Sequence, residues 1–85
     1  MQREDIVQRM KKLLMDRVGA REEKIKTEAS LVDDLGLDSL DAVELTMAIE
    51  DEFGLELDDD QVKQLVTVGD TLAYVEKLLL EKHAV

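Results

Sequence analysis

Ser39 is the residue best placed for covalent chemistry, because the run Asp38-Ser39-Leu40-Asp41 has the acids and hydroxyl that suit the start of a helix. A serine becomes a nucleophile in its own active site only with a base beside it. The chain offers one histidine, His83, far along the sequence, and no cysteine, so no Ser-His-Asp or Cys-His set is in prospect. The chemistry open to Ser39 is therefore modification by another protein. A phosphodiester formed on its hydroxyl would lie near the free amides and the positive dipole end of the helix. For an arbitrary serine at such a position, plain capping of the helix is the commoner role.

Carboxylates are the other chemically capable groups. Asp58-Asp59-Asp60 invites a cation, but the ligand alternation, central glycine and closing glutamate of an EF-hand loop are not in order. A hydrolytic carboxylate pair is disfavoured because the acids fall on helix starts and faces where water keeps them solvated. We therefore read no catalytic residue and no metal site, and do not expect an enzyme. With 21 acidic and 11 basic residues the formal charge is −10. That charge repels nucleic-acid phosphates and anionic lipid, leaves basic proteins as partners, and favours a monomer. The 45% hydrophobic content suffices for a core, but 85 residues supply a small one, poorly suited to enclosing a catalytic pocket. Without cysteine the chain has no thiol of its own. No apolar run approaches the ~18 residues of a membrane span, and Arg3, Glu4 and Asp5 interrupt any signal-like start, so a cytoplasmic location is expected.

The elements that must position Ser39 are helical. Ile6, Met10, Leu13 and Leu14, with Val7 beside them, draw one apolar stripe, so the first helix is expected over roughly residues 3–17, stopped by Gly19. From 18 to 38 the period is lost, and a long loop with spaced apolar residues is expected to pack rather than float. The second helix is expected over about 39–53, with Asp38 as N-cap, Asp41 completing a box and Gly54 as stop. A short third helix is expected over about 59–65, with Asp58 and Gln61 as its starting pair, and a fourth over about 68–82, started by Thr67 and Asp70. The chain reads as one all-α domain, residues 1–85: a four-helix bundle with three longer helices, one short third helix and a long loop between helices one and two.

On a helical wheel the second helix has two apolar stripes. Ala42, Leu45, Ile49 and Phe53 form one, expected to face the core; Leu40, Val43 and Met47 form the other, rimmed by Asp41, Glu44, Glu50 and Asp51. Scattered surface hydrophobes are ordinary, but an apolar strip bordered by carboxylates also suits a partner groove edged with Lys and Arg. Met47, an adaptable thioether, fits that use.

The run from Asp33-Asp34-Leu35-Gly36-Leu37 through Asp38-Ser39-Leu40-Asp41, with Val43-Glu44-Leu45 and Glu50-Asp51-Glu52-Phe53 beyond it, closely resembles the acyl carrier proteins of bacterial fatty-acid synthesis. The likeness covers almost the whole chain, including Glu22 to Ser30 and Thr67-Val68 to Tyr74-Val75. It implies that Ser39 receives a 4′-phosphopantetheine arm from coenzyme A through a phosphopantetheinyl transferase, and that the arm's thiol holds acyl chains as thioesters. It further implies that Asp38 borders the attachment point. Leu40, Asp41, Val43, Glu44, Met47 and Asp51 match positions that dock on basic patches of fatty-acid synthesis enzymes and acyltransferases. Leu31, Leu45, Ile49, Leu57, Leu65, Val68, Leu72 and Tyr74 match the walls of the acyl pocket. Asp58 stands where many members carry proline, and residues 54–60 are unusually acidic, which leaves room for a specialised carrier.

Two other readings compete. A peptidyl or polyketide carrier would keep the arm on Ser39 but usually lacks the aspartate before serine and the dense acids of helix two. An unmodified acidic adaptor would bind basic proteins through helix two alone and leave Ser39 bare.

Overall fold

The computed structural model describes residues 2–83. The side chain of His83, read above as remote from Ser39, lies outside the described residues. Four α-helices follow one another: α1 (Arg3–Val18), α2 (Ser39–Phe53), α3 (Asp59–Val62) and α4 (Val68–His83). Among the described residues there is no strand, only one isolated antiparallel bridge between Ser30 and Thr67.

Each start and stop has a local cause. Gly19 and Gly54 take left-handed backbone (φ 69° and 64°) and end α1 and α2, a conformation that glycine adopts without the Cβ penalty. At the head of α4, Asp70 N–H donates to Thr67 Oγ1 (3.0 Å), while Asp70 Oδ2 accepts from the amides of Val66 and Thr67 (both 3.1 Å). Those two amides hold the Asp70 carboxyl below the ordinary aspartate value.

The third helix is shorter than its apolar spacing suggests, four residues rather than seven. Its last turn tightens, with Gln64 N–H on Gln61 O (3.0 Å) and Leu65 N–H on Val62 O (3.1 Å), and the next amide, Val66 N–H, is taken by Asp70 Oδ2 (3.1 Å). An amide claimed by the next helix's cap is not available to Val62 O, so the α-helical ladder stops there. Its N-cap also differs from the expected pairing with Gln61: the Asp58 side chain accepts from Asp60 N–H (2.8 Å).

The loop itself is structured. A 3₁₀ turn, Glu22–Lys24, interrupts it, and its later half is stitched to the α3–α4 junction by Leu31 N–H on Val66 O, Val68 N–H on Ala29 O (3.0 Å) and Gly69 N–H on Thr27 O (2.8 Å). Gly69 is required by proximity: a Cβ there would stand 2.7 Å from Thr27 Cγ2 and 3.0 Å from its carbonyl oxygen.

The core gathers Ile6, Met10, Leu13 and Leu14 from α1, Leu45, Ala48, Ile49 and Phe53 from α2, and Val68, Leu72, Val75 and Leu79 from α4, with Ala29, Leu37 and Leu55 from the connections. On the inward stripe of α2, Ala48 is buried while Ala42, expected in the core, is exposed. One turn into the helix, Ala42 lines an open cleft instead of meeting packed side chains. Arg3, Arg9 and Arg17 of α1 reach across to Glu76, Glu52 (3.0 Å) and Glu44 (3.4 Å), exposed pairs each contributing about 1 kcal/mol or less.

Candidate functional site

Ser39 is the first residue of α2 and is exposed. The cap is supplied by its neighbour: Asp38 Oδ1 accepts from Asp41 N–H (2.9 Å), and Asp41 Oδ2 accepts from Asp38 N–H (3.3 Å). The capping explanation for the serine therefore loses its force, since that duty falls to Asp38. The hydroxyl is left at the positive end of a 15-residue helix, where a negatively charged group is favoured.

Beside Ser39 opens a cleft of about 420 Å³ with mostly apolar walls, and Ser39 and Asp38 stand on its rim. This volume falls within the range of pockets that bind small organic ligands, roughly 300–1,000 Å³. Of the wall residues expected from the sequence, Leu31, Leu45, Ile49, Leu57 and Leu65 line it. Three do not. Val68 and Leu72 are buried and face a small depression of about 70 Å³ beside Val7 and Met10, because they belong to the stripe of α4 that packs on α1. Tyr74 turns its hydroxyl to accept from Asp58 N–H (3.0 Å) and so ties α4 to the start of α3.

The structure adds walls that the sequence reading missed: Val32, Leu37, Ala42 and Val62, together with the polar residues Thr46, Lys63 and Thr71. A usable signal existed for Thr71, which lies three residues after Val68 and four before Val75 on the inward stripe of α4.

On the outer side of α2, Leu40, Val43 and Met47 are 79%, 58% and 55% exposed. Asp51 is exposed as well. The other two acids of this face are already engaged within the chain, Asp41 in the capping box and Glu44 with Arg17. Glu50, on the flank, accepts from Leu57 N–H (3.0 Å) and braces the loop after α2. Among the described residues no group of three or more His, Cys, Asp or Glu is arranged to hold a metal ion. No described helix is long and apolar enough to cross a membrane.

The helical bundle thus presents an exposed serine at a helix start, next to an apolar cleft. The family model for the phosphopantetheine attachment site matches residues 8–75. The chain is 51% identical over 73 residues to the acyl carrier protein of Sinorhizobium fredii, covering 86% of this chain and 94% of that one. The same identity and coverage hold for the acyl carrier protein AcpP of Rhizobium meliloti. The chain belongs to the acyl carrier proteins, whose cofactor is 4′-phosphopantetheine.

Proposed function

We propose that Ser39 is the residue that bears the 4′-phosphopantetheine arm, and that this chain, as a single domain without catalytic activity of its own, presents acyl cargo to fatty-acid synthesis enzymes in the cytoplasm. The observation that carries this reading is the place of Ser39: exposed, relieved of capping by Asp38, and on the rim of the apolar cleft. The arm supplies the thiol that a chain without cysteine lacks. Asp38 and Asp41 hold the first turn of α2, so the hydroxyl is offered in a fixed place rather than on a mobile loop. The cleft shelters the cargo, since each buried methylene contributes about 0.8 kcal/mol. Leu40, Val43 and Met47, with Asp41, Glu44 and Asp51 around them, form the surface that meets the basic patches of a phosphopantetheinyl transferase, synthases and acyltransferases. Arg17 engages only Oε1 of Glu44 (3.4 Å), which leaves the carboxylate able to accept from a partner cation as well.

The test is mass spectrometric. The protein is incubated with coenzyme A and a broad-specificity phosphopantetheinyl transferase, and intact masses of wild type and Ser39→Ala are compared. One adduct on wild type alone is expected. A folded wild type that takes none would overturn the assignment and favour an unmodified acidic adaptor.

A further inference from the structure

The cleft beside Ser39 is not a plain hydrocarbon slot. Thr71 of α4 lines it and is only 2% exposed, and Thr46 of α2, half-buried, lines it from another helix. Each hydroxyl donates to the carbonyl four residues back: Thr71 Oγ1 to Thr67 O (3.1 Å) and Thr46 Oγ1 to Ala42 O (2.8 Å). A hydroxyl has one proton and two lone pairs. With both protons committed to their own helices, what the two threonines can offer the cleft is acceptor capacity alone. The donor group lining the cleft apart from Ser39 is Lys63, exposed at the end of α3 and standing in water.

We propose that the cleft favours hydroxylated acyl chains, whose O–H donates to Thr71, with Thr46 as a second acceptor, over unsubstituted chains and over keto chains of the same length. The proposal rests on the reading that Ser39 bears the arm and that the cleft takes its cargo. An alkyl chain offers the two threonine oxygens no hydrogen-bond partner, and so no gain. A ketone brings only acceptors and finds no donor in the buried part. A hydroxyl entering the cleft gives up hydrogen bonds to water and must regain one inside, and only the hydroxylated chain carries the proton that the two oxygens can accept.

The experiment is a cycle on the arm-bearing protein. Wild type, Thr71→Val and Thr46→Val are each loaded with a saturated chain, with its 3-keto analogue, and with a set of hydroxy isomers that moves the hydroxyl along the chain, and thermal midpoints are compared. Valine keeps the branched shape and removes the oxygen, so the general cost of the substitution cancels when cargoes are compared within one variant. For at least one isomer the wild-type midpoint should exceed that with the saturated chain by about 4–8 °C, the shift expected for one neutral hydrogen bond in a domain of this size. That margin should vanish in Thr71→Val and shrink in Thr46→Val, and the keto chain should show no margin in any variant. Equal midpoints for all hydroxy isomers and the saturated chain, or a margin that survives in Thr71→Val, would overturn the proposal. If the saturated chain itself fails to raise the midpoint above the unloaded arm-bearing protein, the cleft does not take cargo; that result refutes the underlying reading and the proposal with it.

Discussion

Replacing Asp38 separates its two jobs, closing the first turn of α2 and placing a negative charge beside Ser39. Asp38→Ala removes the acceptor for Asp41 N–H and leaves that amide without a partner in the fold. Loss of an N-cap of this kind costs about 1 kcal/mol, within a range of roughly 0.5–2. Asp38→Asn keeps an oxygen for the same amide and forfeits only the charge at the helix start, about 0.3–1 kcal/mol. Removing the reciprocal acceptor with Asp41→Ala breaks the longer bond, 3.3 Å against 2.9 Å, and should be the mildest loss of a cap contact. Urea titration reads these directly. With a slope of about 1 kcal/mol/M, fitting a chain of this length, Asp38→Ala lowers the midpoint by about 1 M and Asp38→Asn, in salt that screens the helix dipole, by about 0.3–0.5 M. Loading by the transferase should follow a different order, with the neutral Asn variant impaired despite its retained stability. If Ala and Asn prove equally destabilised, the charge rather than the cap holds the turn. If Ala unfolds at the wild-type midpoint, the box contributes nothing and the geometric account of Ser39 presentation is wrong.

Three further outcomes follow from the same structure. Gly69→Ala should cost about 1–3 kcal/mol in urea unfolding, as overpacking does, because the new methyl meets the Thr27 carbonyl; a loss below about 0.5 kcal/mol would show that the loop yields freely. Asp70 has a folded-state pKa below its unfolded value, so its stabilisation is present above the unfolded pKa and is lost as pH falls through the folded one. The stability gap between wild type and Asp70→Asn should therefore narrow on titration from pH 6 to about pH 2, and a constant gap would refute the assignment. Val43→Glu and Met47→Glu, both on the exposed stripe, should leave helical circular dichroism unchanged while reducing transferase turnover at least tenfold; unchanged turnover would make the stripe incidental.

The parts of the fold that could be read in advance are those where a local cause acts alone. The stripe of α1, the cap at Asp38, the glycines at 19 and 54 and the Thr67–Asp70 pair each depend on neighbours within a few residues, and the structure shows them as local physics requires. What escaped the sequence depends on partners outside the element concerned. The end of α3 is set from outside that helix, by Asp70 of α4 claiming the Val66 N–H, and the apolar period of α3 does not report that. Val68 and Leu72 have the right spacing for a cleft wall, but their stripe of α4 is occupied by α1. Thr71 was missed for the opposite reason: its type argues against an apolar wall, and only its hydrogen bond to Thr67 O makes burial tolerable. For the site, the serine and its flanking acids were legible because few residue types can do that chemistry.

The stitching of the long loop onto the α3–α4 junction also bears on the order in which this chain takes shape. Ser30 pairs with Thr67 across 37 residues, whereas the helices form from contacts three and four apart. Leu31 on one side of that seam and Leu65 just before the other both face the cleft. The contacts within α1 and α2 are local in sequence, whereas the far wall of the cleft waits on that seam. Pairing across so long a span closes a large loop and belongs to the late stages of folding. The helix start that presents Ser39 thus rests on contacts three residues apart, and the enclosure of the cleft beside it on the longer-range pairing of the two.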